Sequence, residues 1–100
     1  MIDGIYLLHF DTPLAHARHY RGYSHDVLTR VEDHRNGCGA RITQVLKERG
    51  ITFTLAGVWK GDRTLERKLH RHGATRWCPI CNPTYKPRLM RIEVDNGLPA

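Results

Sequence analysis

The sequence predicts a small α/β domain of the α+β type, in which helices cover one mixed sheet. Two observations predict this class. Short apolar segments typical of strands occur along the chain, as do segments whose apolar residues recur every three or four positions. In chain order they give strand, strand, helix, helix, strand, helix. The 100 residues make one domain of common size. We place it at residues 1–85, with residues 86–100 as a partly ordered tail.

The predicted elements begin and end at local signals. Pro13 should end the first strand because proline removes a ladder donor, which makes residues 14–19 a basic connector. Ser24 or Asp26 can cap the first helix, and glycines can end the helices. The predicted strands are residues 5–10, 20–23 and 51–59, and the predicted helices are residues 24–36, 40–49 and 62–70.

The third strand has the clearest pattern in the chain. In ITFTLAGVW, apolar and small or polar residues alternate, as they do in a strand with one buried face. We expect one face to carry Ile51, Phe53, Leu55 and Trp59.

The charge of the chain favours an anionic partner. Sixteen Lys and Arg face ten Asp and Glu, giving a net charge of +6. Such an excess suits nucleic acid, although solubility alone would also account for it. The apolar N-terminal stretch is too short for a secretory or membrane segment. We therefore expect a cytoplasmic protein with reduced thiols and no membrane partner.

Two polar side chains share one side of the first predicted helix. Arg30 and His34 are four residues apart. His34 lies at the edge of the apolar stripe and Arg30 just beyond it, so both should lie where the helix meets the sheet, near the strand that carries Tyr20. With Tyr6 on the first strand and Glu66 on the third helix, they supply the groups that phosphodiester cleavage requires. These are a carboxylate for a divalent cation, a guanidinium for the phosphate, and a tyrosine or histidine that can take a proton.

Each of these residues also has an ordinary structural interpretation, which is the better one for any residue taken alone. The tyrosines could be core aromatics. Arg30 could pair with Asp26, and His34 could lie favourably at a helix C-terminus. Glu66 could pair with His70. Only the whole set of residues, taken together, indicates catalysis.

The ordered set resembles the GIY-YIG nuclease superfamily, over the segment from Gly4 to Asn82. Its first motif word is intact as Gly4-Ile5-Tyr6, and Tyr20-Arg21-Gly22 resembles the second word with arginine in place of the central isoleucine. The spacing of Arg30 and His34 after Tyr20, the later Glu66, and Pro79-Ile80-Cys81-Asn82 follow the same pattern. The chain is similar to small standalone members from actinobacteria and their phages.

This resemblance implies a three-stranded antiparallel sheet flanked by helices. It also implies one Mg²⁺ or Mn²⁺ ion on Glu66 and in-line attack by water on DNA. The motif glycines are Gly4 and Gly22. The implied catalytic residues are Tyr6 as general base, Tyr20 to orient phosphate or water, Arg30 on the scissile phosphate, His34 for proton transfer, Glu66 for the metal and Asn82 to organise the site.

Basic residues near this set are the predicted contacts to nucleic acid. They are Arg18, His19, Arg21, Lys60 and Arg63. The link between Tyr6 and Tyr20 is longer than is usual in the family, and Arg21 stands where an apolar residue is expected. On an edge strand Arg21 could extend outward to nucleic acid. Double-strand cleavage by one active site would need a dimer or two binding events.

The segment HRHGATRWCPIC offers ligands for a second metal. Cys78 and Cys81, with His70 and His72 nearby, could form a structural tetrahedral zinc site. Alternatively, the two cysteines pack as small apolar residues. Trp77 could stack on an unpaired base or close the core.

We therefore expect a metal-dependent DNA endonuclease. The alternative is a basic nucleic-acid-binding module on the same fold that no longer cuts and could carry a structural zinc. A third possibility is a small interaction protein that uses the tail.

Overall fold

The computed structural model describes residues 2–69, 73–87 and 89–94. Three strands form one antiparallel sheet in the order β2-β1-β3, which confirms the predicted α+β class and the three-stranded sheet. The strands are β1 (Gly4–Leu14), β2 (Ala17–Ser24) and β3 (Phe53–Trp59), and the helices are α1 (Val27–Arg35), α2 (Arg41–Glu48), α3 (Arg63–Leu69) and α4 (Ala74–Trp77).

Strand β1 lies at the centre of the sheet, and residues 4–10 are all buried. Because successive side chains of a strand point to opposite faces, β1 contributes to two separate cores. Tyr6, Leu8 and Phe10 pack in the core that α1 and α2 cover. Ile5 and Leu7 pack in the other core, with Trp59, Trp77 and partly buried leucines of α3.

Strands β1 and β2 form a longer hairpin than predicted. The expectation that Pro13 ends β1 is wrong, as is the basic connector at residues 14–19: β1 continues to Leu14, which pairs with Ala17. Proline is tolerated because the register shifts between His9 and Leu14 and because the pairing of β1 with β3 ends at Phe10. The reversal uses a left-handed conformation at Ala15, with φ of 53°.

A bulge in β3 changes which residues share a face. Leu7 pairs with Gly57 and Leu8 pairs with Leu55, so Ala56 is an extra residue on β3. Trp59 therefore lies in the second core with Ala56, whereas Phe53 lies in the first. The prediction that Phe53 and Trp59 share a face is wrong, since simple alternation assumes an uninterrupted ladder.

The predicted helix signals act largely as expected. The Asp26 side chain caps α1 by accepting from Thr29 N, and Asp62 Oδ1 accepts from Leu65 N at 2.9 Å at the start of α3. Gly37 and Gly50, with φ of 79° and 70°, follow α1 and α2. Within the described part of the chain, no helix has the length and apolarity that crossing a lipid bilayer would require.

The C-terminal segment holds structure that the sequence pattern did not indicate. The short helix α4 has only four residues, too few for a periodic signal. Beyond it, Arg91 of the predicted tail forms an isolated antiparallel bridge with Trp59 of β3. Residues 95–100 of the predicted tail and His70 at the predicted end of α3 lie outside the described residues.

Replacing Trp77 with alanine should destabilise the fold by about 3–5 kcal/mol, because a buried tryptophan leaves a large cavity. Trp77 is 4% exposed and packs against Trp59 with ring centroids 4.5 Å apart. Urea unfolding should show this loss, and a smaller one for Trp77→Phe. Met90→Ala, at a side chain that is 68% exposed, is the control and should stay within about 0.5 kcal/mol of wild type. Equal stability of Trp77→Ala and wild type would contradict this packing.

Candidate functional site

A cleft of about 220 Å³ brings together most of the residues that the sequence singled out. Strand β1 supplies Tyr6, β2 supplies Tyr20, α1 supplies Arg30 and α3 supplies Glu66, and all four line the cleft. His34 lies behind it, fully buried, against Tyr6. Five predicted catalytic residues from four elements are therefore neighbours.

The two motif glycines allow close packing of large groups. Gly22 is the cross-strand partner of Tyr6, and the tyrosine ring lies directly over it. A Cβ atom on Gly22 would lie 2.5 Å from Tyr6 Oη, and one on Gly4 would lie 2.6 Å from Trp59 O. Any side chain at Gly22 would therefore push Tyr6 out of its place beside the cleft.

A chain of hydrogen bonds fixes the proton positions around His34. Tyr6 Oη lies 2.7 Å from His34 Nε2, and His34 Nδ1 lies 3.0 Å from Thr43 Oγ1. The Thr43 hydroxyl donates to Ala40 O at 3.0 Å, so its oxygen is left to accept from His34 Nδ1–H. This assignment satisfies every contact in the chain and leaves the Nε2 lone pair to accept from the Tyr6 hydroxyl.

Burial keeps both members of the Tyr6–His34 pair neutral. Desolvation, assisted by the nearby Tyr20, raises the pKa of Tyr6 to about 12. Desolvation and the charge of Arg30 lower the pKa of His34 to about 4, against a smaller opposite effect of Asp33. At neutral pH His34 is therefore an uncharged acceptor, and Tyr6 is a donor that does not ionise unaided.

Arg30 connects the cleft to the loop before α2. Its Nη2 donates to Gly39 O at 2.9 Å, which leaves other N–H groups of the planar guanidinium for the cleft. Gly39 in turn packs against the His34 ring so closely that a Cβ atom there would overlap it. The same loop thus positions both polar side chains of α1.

Arg21 does not extend into solvent, although β2 is an edge strand. Its side chain is 7% exposed, its Nη2 donates to Leu69 O at the end of α3, and its guanidinium lies 5.2 Å from the centre of the Trp77 ring. The expected outward extension is therefore wrong. Arg21 still lines the cleft. The charged Arg21 replaces the apolar residue expected here. Its guanidinium bonds the carbonyl at the C-terminal end of α3 and packs against an aromatic ring.

Asn82 does not lie among the cleft residues. Its Nδ2 donates to Arg76 O at 2.7 Å and its backbone N donates to Cys78 O at 2.8 Å, so it organises the turn after α4.

The residues that were predicted to contact nucleic acid differ in their exposure to solvent. Arg18, Lys60 and Arg63 are exposed, whereas His19 is half-buried in a different cluster.

That cluster unites the cysteines of the predicted zinc segment with two histidines from the hairpin. His9, His19, Cys78 and Cys81 have ligand atoms that all lie within 4.8 Å of one another, so the group could hold a metal ion. The sequence pattern did not indicate His9 as a ligand, and His19 was predicted to contact nucleic acid. The strand register pairs them directly, a relationship that a correct hairpin prediction would have indicated. The alternative ligands His70 and His72 lie outside the described residues.

Comparisons of the chain with protein-family models, with curated proteins and with solved structures find no match. The functional interpretation therefore depends on the motif residues and on their geometry.

Gly22→Ala should displace the Tyr6 ring and destabilise the fold by about 1–3 kcal/mol, the usual cost of overpacking. Gly73→Ala is the matched control, because a Cβ atom there meets nothing within 4 Å. Urea unfolding measures the stability, and the ring chemical shifts of Tyr6 report its displacement. An unshifted Tyr6 in a Gly22→Ala protein of wild-type stability would refute the close packing.

The burial of neutral His34 should make the protein less stable as the pH falls from about 6.5 towards about 4. The unfolded state, in which His34 has its ordinary pKa, binds more protons over that range. His9 and His19 act in the same direction, so the comparison with His34→Gln isolates His34. Unfolding free energies at about pH 7 and about pH 5 should differ less in His34→Gln than in wild type. Equal pH dependence in both proteins would disprove the assignment.

Proposed function

We propose that this protein is a metal-dependent DNA endonuclease of the GIY-YIG type, which hydrolyses phosphodiester bonds by in-line attack of water. The observation that carries the proposal is the hydrogen bond from the Tyr6 hydroxyl to neutral, buried His34, at the wall of a cleft that also holds Arg30 and Glu66. An ordinary core tyrosine would need a bonded hydroxyl, but it would not need a guanidinium and a carboxylate in the same cleft.

The Tyr6–His34 pair supports a proton relay. With a pKa of about 12, Tyr6 is a weak acid that holds its own proton at neutral pH. It can accept a proton from water only as it passes its own proton to His34 Nε2, which is free to accept because Nδ1 carries the other proton. Thr43 maintains that tautomer. In this relay His34 is the final proton acceptor, and Tyr6 carries the proton from the cleft to it.

Arg30 and Tyr20 would position the phosphate. The Arg30 guanidinium carries a permanent positive charge at the cleft, which suits the charge that develops on a pentavalent phosphate. The Tyr20 ring centre lies 6.3 Å from that of Tyr6 and 5.2 Å from that of His34. Tyr20 therefore packs beside both members of the proton relay.

The donor chemistry of the cleft fits a hard divalent cation. Glu66 is the carboxylate among the described lining residues, and Mg²⁺ or Mn²⁺ typically binds through one or two carboxylates while keeping several waters. When bound, the ion would supply Lewis-acid stabilisation of the phosphate oxygens. The chain provides one carboxylate on α3, half-buried and facing the tyrosines.

The net charge of +6 supports DNA as the partner, with the exposed Arg18, Lys60 and Arg63 as contacts to the backbone. Among the described residues, this set of cleft side chains occurs once, which supports nicking, or double-strand cleavage through a dimer. The same charge favours the second candidate, a binding module that no longer cuts, whose structural zinc would have ligands in the His/Cys cluster.

The test is cleavage of supercoiled plasmid, single strands, flaps and branched junctions with Mg²⁺ or Mn²⁺. Glu66→Gln should lower the rate at least about 100-fold, because loss of metal stabilisation costs several kcal/mol. Arg30→Ala should lower it by about 10²–10³. Glu48→Gln and Arg41→Ala make the same charge changes on exposed α2 positions outside the cleft and should cut at the wild-type rate.

Cleavage that survives both cleft substitutions would overturn the proposed site. Salt-sensitive DNA binding without cleavage of any substrate would replace the proposed function with the binding module.

The relay has its own test. Tyr6→Phe should reduce the cleavage rate by about 10²–10⁴ while DNA binding persists. Thr43→Val removes the acceptor for His34 Nδ1–H and should cause a smaller loss, which Thr43→Ser should restore. The pH–rate profile of wild type should keep its activity well below pH 6.5, since His34 remains neutral there. Full activity of Tyr6→Phe would eliminate the relay.

A further inference from the structure

We propose that His9, His19, Cys78 and Cys81 form a structural zinc site, which fastens the C-terminal segment to the β1–β2 hairpin. The proposal is independent of the nuclease function. The two histidines are cross-strand partners on the sheet face opposite Tyr6 and Tyr20, and the cysteines lie directly after α4.

Four of the six distances between ligand atoms in the cluster match the edges of a zinc tetrahedron. With Zn–N of about 2.05 Å and Zn–S of about 2.3 Å, tetrahedral ligands lie about 3.3–3.4 Å apart for two nitrogens and about 3.6 Å apart for nitrogen and sulfur. His9 Nδ1 lies 3.3 Å from His19 Nε2. The nitrogen–sulfur distances are 3.7 Å (His9 to Cys78), 3.6 Å (His9 to Cys81) and 3.4 Å (His19 to Cys81).

Hydrogen bonding alone does not account for this arrangement. His9 Nδ1 has three polar neighbours within 3.7 Å, yet a ring nitrogen of neutral imidazole carries either one proton or one lone pair. A single proton or lone pair cannot make well-aligned hydrogen bonds to all three neighbours. A cation at the centre of the cluster, bound by all four ligand atoms, accounts for all of these short distances at once.

The ligand types select zinc. Two thiolates and two imidazoles in a tetrahedral arrangement are typical of zinc, whereas Mg²⁺ and Ca²⁺ prefer oxygen ligands. Two thiolates also balance the charge of Zn²⁺, so the site is neutral overall, as burial of Cys78 and His9 requires. Four protein ligands complete the coordination, which is the mark of a structural site.

The site would stabilise a segment that has little other regular structure. Cys78 is fully buried in the second core, next to Trp77, and the turn after it is held by Asn82. Through the contact between Trp77 and Arg21, the segment also supports the residue that bonds the end of α3. The helix that carries Glu66 is thus connected to the proposed zinc site by packing.

The test is the metal content of the full chain, purified under reducing conditions and analysed by mass spectrometry. We expect one zinc per chain, lost in His9→Ala, His19→Ala and Cys81→Ser. Cys38→Ser, at an exposed cysteine outside the cluster, is the matched control and should retain the zinc. The double variant His70→Ala/His72→Ala, which removes the alternative histidines, should also retain it.

Measurements on wild type avoid the risk that a variant fails to fold. X-ray absorption should show two sulfur ligands at about 2.3 Å and two nitrogen ligands at about 2.0–2.1 Å. Chelation of the zinc should lower the melting temperature, and added Zn²⁺ should restore it.

Three results would overturn the proposal: the absence of bound zinc, a Cys78–Cys81 disulfide in the reduced preparation, or zinc that is lost with His70 and His72 but kept without His9 and His19. Because the readout is metal content, none of them bears on DNA cleavage.

Discussion

Most of this structure depends on the complete burial of one strand. Residues 5–9 of β1 are paired on both edges and buried on both faces, so every polar side chain among them must find a partner inside the protein. Tyr6 finds His34 on one face, and His9 meets His19 and two cysteines on the other. The cleft and the His/Cys cluster are therefore two consequences of the same constraint, three residues apart on a single strand.

In the polar network behind the cleft, each hydrogen-bonding side chain has a partner, which stabilises the network. The Tyr6 hydroxyl, both nitrogens of His34 and the Thr43 hydroxyl each have a partner, and the network ends at Ala40 O on the loop before α2. A buried network of this kind favours one arrangement of its protons, because any other arrangement leaves a group unsatisfied. The low dielectric around this network thus favours one rigid arrangement, in which the Tyr6 hydroxyl is the proton donor and His34 Nε2 is the acceptor.

Local signals in the sequence predict the order of the first six elements and the helix caps, because a cap or a glycine is defined within a few positions. The cleft residues were predicted from an ordered set of motifs that is spread along the chain. Features that depend on distant partners could not be predicted in this way. The bulge at Ala56 arises from pairing with β1 and reverses the expected face of Trp59. His9 and His19 become neighbours of Cys81 only through the hairpin and the fold of the C-terminal segment. Arg21 stands where an apolar residue was expected, and it is held there by the bond of its Nη2 to Leu69 O and by its packing against Trp77.

The central place of β1 also affects how the chain is made. Strand β2 follows immediately and can cover one edge of β1 while the protein is still being synthesised, but the other edge must wait for β3, which begins at Phe53. Until then an apolar strand presents a row of open N–H and C=O groups to its surroundings. The nascent chain therefore has an edge open to intermolecular strand pairing during that interval, and the addition of β3 closes it.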